Sequence, residues 1–182
     1  MTQIRPTVYT ALFVALIACG AFIAIPIGPV PIVLQNMFVL LAGLMLGPMW
    51  GLACVGVYLI IGLAGLPVFA GATAGVGKLF GPTGGYLLGY LPAVGVTAVV
   101  SRGLQKTLAG DLAALVLGSL IVYAAGVPWL KVVTGMDWAK AFALGMYPFL
   151  IGDGLKIVAA ALIAKKMRPL MHRQAGQRIE VS

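Results

Sequence analysis

Long, almost purely apolar runs alternate along this chain with short stretches rich in glycine, proline and charge. The runs show no polar face of the kind that a surface helix of a soluble protein carries, and several approach the ~20 residues needed to cross a bilayer. The pattern predicts six membrane-spanning helices, at about 6–24, 32–46, 50–66, 86–100, 111–125 and 148–166. The breaks follow backbone chemistry. Pro6 sits at a first helical turn, where its missing N–H is harmless; the run Ile25-Pro-Ile-Gly-Pro-Val-Pro31 is a rigid turn; Gly47-Pro48 ends the second helix, and Trp50 anchors the third.

Two segments depart from the simple alternation. Residues 67–85 are glycine-rich and unusually long for a connection in a compact membrane protein, which points to a binding loop or lid, with a flexible outside connection as the alternative. They hold no phosphate loop, because Gly77-Lys78 is followed by Leu79. Between 126 and 147 the residues Trp129, Lys131, Asp137, Trp138 and Lys140 read as interfacial material, and Thr134-Gly-Met-Asp137 has the spacing of a capping box for a short helix ending near Gly145.

Composition turns the pattern into a class. With 62% hydrophobic residues, 9% charged residues and a mean hydropathy of +1.09, the chain cannot cover a soluble globule. It is read as an all-α integral membrane protein forming one transmembrane domain over 1–182. Its length leaves no room for a soluble nucleotide-binding domain, so any ATP hydrolysis belongs to another chain. The net charge of +8 does not indicate nucleic acid, because the basic residues stand at helix ends and in a short tail. Arg5, Arg102, Lys106, Lys165, Lys166, Arg168, Arg173 and Arg178 fall on one side of six spans, and Lys78, Lys131 and Lys140 on the other. The positive-inside rule then puts both termini in the cytoplasm and the glycine-rich segment outside. Cys19 and Cys54 read as small core hydrophobes.

The candidate chemistry lies in the last span. Asp153 and Lys156 are two opposite charges inside an apolar run, three residues apart and hence on one face of a helix. A charge at the centre of a spanning helix costs about 2.5–3.5 kcal/mol on insertion scales, so such residues are candidates for a functional site; a structural ion pair is the alternative. They should lie roughly two turns beneath the glycine-rich segment, in a site loaded from outside. Gln35 and Asn36 open the second span, as hydrated interfacial amides or, for Gln35, as the lining of a polar pocket. Asp111 opens the fifth span, where a carboxylate is favoured by the helix dipole. Ala11 and Ala15 form a small-xxx-small pattern that permits close approach of another helix.

Four runs, Ile27 to Gln35, Gly62 to Gly71, Gly81-Pro-Thr-Gly-Gly-Tyr-Leu-Leu-Gly89 and Pro148-Phe-Leu-Ile-Gly-Asp-Gly-Leu-Lys156, together resemble the hallmark segments of the BioY family, the biotin-specific S components of bacterial energy-coupling factor transporters. The resemblance implies the six-helix S-component fold, high-affinity capture and uptake of biotin, and residence in the bacterial cytoplasmic (inner) membrane among its lipids. It implies as partners a transmembrane coupling protein and two cytoplasmic ATPases, which alone use ATP, so the chain is expected to hold no cofactor and to be no enzyme. A homo-oligomer acting by itself is the alternative to those partners. Asp153 and Lys156 match the family's Asp-x-x-Lys binding motif; Gln35, Phe69 and Tyr86 lie in its recurrent segments, and Thr73 in a loop that varies from the family's more uniformly glycine-rich form. Ala11 and Ala15 correspond to small-residue motifs thought to dock the coupling protein. Biotin suits the residues, since an anionic acceptor and a cationic donor can meet its ureido N–H groups and an oxygen, and aromatic walls its apolar chain. Two other readings stand beside this one: an S component for another small vitamin, and a membrane-embedded enzyme using Asp153 and Lys156 as acid and base. The latter lacks a nucleophile, a metal cluster or a second catalytic carboxylate to accompany the pair.

Overall fold

The computed structural model describes residues 4–176, with side chains through Leu170, so the Arg173 side chain and Arg178 lie outside what is described. The elements run α1 (Ile4–Phe22), β1 (Ala24–Ile25), β2 (Ile32–Val33), α2 (Gln35–Leu63), α3 (Gly77–Phe80), α4 (Gly84–Gly103), α5 (Leu108–Thr134), α6 (Trp138–Gly145) and α7 (Tyr147–Gly176). Among the described residues five helical segments are long and apolar enough to cross a membrane. One of them, α2, crosses twice. At Gly47 the backbone takes φ 80° and ψ −178°, a region open in practice only to glycine, and Pro48 follows. Gln35 Nε2 lies 2.8 Å from the Tyr58 hydroxyl, whereas a straight helix would separate these residues by roughly 34 Å at ~1.5 Å per residue. The 35–46 and 48–63 arms are therefore antiparallel, and Gly43 and Gly51 let them touch, since a Cβ on Gly51 would lie 3.4 Å from Gly43 Cα.

Helix α4 packs against both α5 and α2, α1 lies along α2, and α7 closes the bundle against α2 and α5. Tyr58, Leu115, Val94 and Val39 are fully buried at the centre, while Ile60, Val99, Ile151 and Leu155 project outward. An apolar exterior around a packed centre is what a bilayer solvent selects, because every backbone hydrogen bond is made within a helix and the outer side chains face lipid. The protein is a multi-pass membrane protein. At one end, glycines make the close packing: a Cβ on Gly84 would overlap the Leu79 carbonyl oxygen, and one on Gly85 the Trp129 side chain. Trp129 Nε1 also donates to the Gly81 carbonyl at 3.0 Å. The run Gly81-Pro-Thr-Gly-Gly thus fixes α3 and the start of α4 against α5.

Several expectations are corrected. The run 25–31 is more than a turn: β1 and β2 pair antiparallel across it, and the second helix starts at Gln35. The fifth helix continues past Ala125 to Thr134, so Trp129 and Lys131 belong to its last turns; Pro128 lies within it, as prolines in spanning helices do when neighbours and side chains meet the freed groups. Thr134 is the last residue of α5, its hydroxyl donating to Leu130 O at 2.6 Å, and Gly135 closes the helix with φ 69°. The capping box is therefore absent at Thr134, and Asp137 caps α6 by accepting from Lys140 N at 2.8 Å. Cys54 is buried as expected, but Cys19 is exposed on α1.

Asp111 and Arg168 depart furthest from the sequence reading. Thr107 caps α5, accepting from Gly110 N at 3.0 Å, and Asp111 is fully buried one turn in. Its carboxylate takes two bonds from the Arg168 guanidinium, at 2.6 and 2.9 Å, and one from Ser101 Oγ at 2.5 Å. Arg168 donates further to the Leu44 and Lys106 carbonyls, each at 3.2 Å. What reads in sequence as one more basic residue past the last span is a bidentate clamp joining α7 to α2, α4 and α5. Arg168→Met should lower thermal stability in detergent sharply, by about 3–5 kcal/mol, because it leaves Asp111 charged and unpaired in the bundle. Arg168→Lys should cost less, since a point charge keeps part of the interaction without the fork.

Candidate functional site

The site is built where α7 meets the start of α2. Spacing puts Asp153 and Lys156 on the α7 face turned into the bundle, their side chains only 8% and 13% exposed, with Nζ 3.0 Å from Asp153 Oδ1. In a low-dielectric setting neither charge is tolerable unless its remaining hydrogen-bonding capacity is met. Lys156 meets it fully: its ammonium also donates to the Val33 carbonyl at 2.7 Å and to Asn36 Oδ1 at 3.2 Å, which accounts for all three N–H groups. Asp153 Oδ1 accepts in addition from Asn36 Nδ2 at 2.9 Å, and Oδ2 accepts from the Tyr123 hydroxyl. The short β1–β2 ladder delivers this Val33 carbonyl, since α2 begins at Gln35, two residues after the strand ends. The unit is a four-residue knot drawing on α2, α5 and α7.

Gln35 is buried rather than interfacial, and it belongs to a second chain of bonds. Its amide donates to the Tyr58 hydroxyl, which donates to the Val68 carbonyl at 3.0 Å. That chain holds Phe69, 1% exposed, edge-on to Tyr58 at 5.7 Å and 74°, with Gly62 leaving room for the ring. Tyr86 donates its hydroxyl to the Gly145 carbonyl at 2.8 Å, so it offers the cavity its ring. The Thr73 hydroxyl donates to Ala70 O at 2.9 Å, and Thr73 pairs with Phe69 in a β-bridge. The glycine-rich segment is therefore folded onto the bundle, with α3 within it and Gly75 N bonded to Gly62 O at 2.8 Å.

Gln35, Phe69, Thr73, Tyr86, Asp153 and Lys156 all line one cavity of about 130 Å³. Asn36, Lys78, Tyr90 and Tyr123 line it too and were not among the residues singled out from sequence as binding groups. A signal existed for two of them: Asn36 is an amide beside Gln35, and Tyr123 places a hydroxyl in the middle of an apolar span. Nothing in sequence distinguished Lys78 from other loop charges. Ala11 and Ala15 lie elsewhere, exposed on α1, away from its buried face of Thr10, Phe13, Val14 and Ile17. Among the described residues no group of three or more His, Cys, Asp or Glu side chains converges as a metal site would require. The arrangement can bind a small molecule that offers N–H donors and an oxygen acceptor at one end and apolar surface along its length.

The profile of the BioY family matches residues 1–173. The chain is 42% identical over 158 residues to a protein of Pyrococcus horikoshii named probable biotin transporter BioY, covering 87% of this chain and 93% of the relative. It is 41% identical over 166 residues to the biotin transporter BioY of Thermotoga maritima, covering 91% of this chain and 97% of that one. Among solved structures, the crystal structure of the S-component for biotin from an ECF-type ABC transporter superposes with a TM-score of 0.87 at 31% identity, covering 92% of this chain and 93% of that chain.

The knot makes a prediction about stability without ligand. Tyr123→Phe removes a hydroxyl donor to a buried carboxylate and should cost about 1.5–3 kcal/mol in ligand-free protein. Asn36→Leu strips a partner from both charges at once and should cost at least as much. Thermal unfolding in detergent measures both, and variants as stable as wild type would mean that the four groups do not depend on one another.

Proposed function

The chain belongs to the BioY family, and from that premise we propose that it is the substrate-binding membrane component that captures biotin for uptake. The observation that carries this reading is the Asp153–Lys156–Asn36–Tyr123 knot in the wall of an otherwise mainly apolar cavity. The ureido ring of biotin is neutral and presents two N–H donors and a carbonyl. Asp153 Oδ2, with one hydrogen bond from Tyr123, keeps an acceptor position for a ureido N–H. Lys156 exchanges one of its acceptors, Val33 O or Asn36 Oδ1, for the ureido oxygen. Phe69 and Tyr86 flank the bicyclic ring and the chain, Gln35 holds the wall through Tyr58, and Thr73 belongs to the segment that closes over the ligand.

On this proposal both termini are cytoplasmic and the cavity end faces outward in the cytoplasmic membrane. The support is the charge distribution: Arg102, Lys106 and Arg168 gather at the end opposite the cavity. The chain itself changes no bond and holds no cofactor; ATP is hydrolysed by two partner ATPases, joined to it through a coupling protein that docks on the exposed Ala11 and Ala15 face of α1.

Equilibrium binding to purified protein, with a panel of small vitamins, tests the substrate. Biotin should bind and be recovered unchanged, and saturation by a different vitamin with no response to biotin would sink the proposal. Asp153→Asn and Lys156→Met should each weaken biotin binding by roughly 10- to 100-fold or more, since each removes a charge-assisted bond. The double variant should not recover. Recovery in a well-folded double variant would make the pair structural only.

Docking is tested separately. Ala11→Trp or Ala15→Trp should leave biotin binding intact while abolishing co-purification with the coupling protein and biotin uptake. Full co-purification in both variants would move the docking surface elsewhere, and uptake in cells lacking any coupling protein would favour a homo-oligomer acting alone.

A further inference from the structure

Three charged side chains line the cavity: Lys78, Asp153 and Lys156. Asp153 and Lys156 form an ion pair at 3.0 Å and cancel, so the lining carries one net positive charge, and that charge belongs to Lys78. The two lysines differ in a telling way. The Lys156 ammonium has all three N–H groups on protein acceptors, whereas the Lys78 ammonium has no hydrogen-bond or ion-pair partner among the described residues. Lys78 is half-buried on α3, within the segment that contributes Phe69, Thr73 and Thr83 to the same wall. A half-buried ammonium has given up part of its hydration and gained nothing for it, so an anion arriving in the cavity finds an unshared charge there.

Resting on the biotin reading above, the geometry points to Lys78 as the residue that reads the ligand's carboxylate and makes the pocket specific for the free acid. Biotin has two chemically different ends, a neutral ureido ring rich in N–H donors and a carboxylate at the tip of an apolar chain. The cavity is also two-ended. A carboxylate brought against Asp153 would set two anions side by side, each disfavouring the other's charged form, whereas the ureido N–H groups suit that acceptor. At Lys78 the preference reverses, because an ammonium offers only donors and a charge of opposite sign. Orientation therefore follows from charge alone: ring toward Asp153, carboxylate toward Lys78. Because Lys78 stands on the segment rather than on a spanning helix, its contact with the carboxylate also ties that segment down when ligand is bound.

The experiment compares biotin with biotin methyl ester and biotinamide, which keep the ring and chain and lose the negative charge, by equilibrium binding to the purified full chain in detergent. Wild type should prefer the acid over either neutral analogue by roughly 10- to 100-fold. Lys78→Gln and Lys78→Met should bind the neutral analogues as wild type does and biotin no better than those analogues, while Lys78→Arg should keep the preference. Equal binding of acid and ester by wild type, a measurement that needs no variant, overturns the inference, as does a Lys78→Gln protein that retains the wild-type ratio. Wild type that binds neither acid nor ester would instead remove the biotin reading itself.

Discussion

A charge placed inside a bilayer-spanning bundle must find enough partners to replace water, and the architecture here follows from meeting that demand twice. Asp153 and Lys156 could have satisfied each other in isolation, but a lone pair leaves two ammonium protons and several carboxylate lone pairs unmet. Asn36 answers both at once, donating to the carboxylate and accepting from the ammonium, and the Val33 carbonyl and the Tyr123 hydroxyl meet the next demands. These partners come from the start of α2 and the middle of α5, so satisfying one ion pair fixes the relation of three helices. The Arg168–Asp111 clamp does the same at the opposite end, where it gathers α2, α4, α5 and α7.

Between those two polar anchors the bundle is held by close packing. Where helices must touch, glycine removes the Cβ that would keep them apart, as at Gly84 and Gly85 beside Leu79 and Trp129. Where the chain must reverse between the two arms of α2, Gly47 adopts a backbone conformation closed in practice to other residues, and the arms run back along each other. This rigidity matters for binding. A pocket wall whose hydrogen-bonding groups are already fixed loses little conformational freedom when ligand arrives. The segment bearing Phe69, Thr73 and Lys78 is joined to the bundle by few backbone bonds and carries the one cavity-lining ammonium with no hydrogen-bond or ion-pair partner among the described residues.

The division of labour between the two lysines follows from this arrangement. Lys156 is a component of the fold and can share itself with ligand only by exchanging an existing acceptor, which makes it sensitive to the shape of what enters. Lys78 gives up nothing to bind an anion, so it responds to charge. On the proposed reading, shape recognition on a spanning helix and charge recognition on the glycine-rich segment are complementary, and together they would distinguish a small acid from its neutral derivatives.

By itself the sequence determined the membrane class, the number of crossings and the importance of Asp153 and Lys156, because those depend on properties that add along the chain: apolar length, breaks at Gly-Pro pairs, and the rarity of charge within a span. It also carried the four motifs by which the family is recognised. What it could not decide were pairings between residues far apart in the chain. Asp111 looked like a dipole-favoured residue at a helix start and Arg168 like one of many basic residues past the last span, and only the packed bundle brings them to 2.6 Å across 57 residues. Gln35 and Asn36 could equally have been hydrated, and the fold buries the first and ties the second to charges more than a hundred positions away. Thr134 and Asp137 fit the spacing of a cap, yet the helix before them continues through Pro128, since in lipid the neighbours that satisfy a proline's freed carbonyl are set by tertiary packing and not by local sequence. Local pattern could place charges within spans; which of them remained unpartnered, and so available to a ligand, was decided only when the helices met.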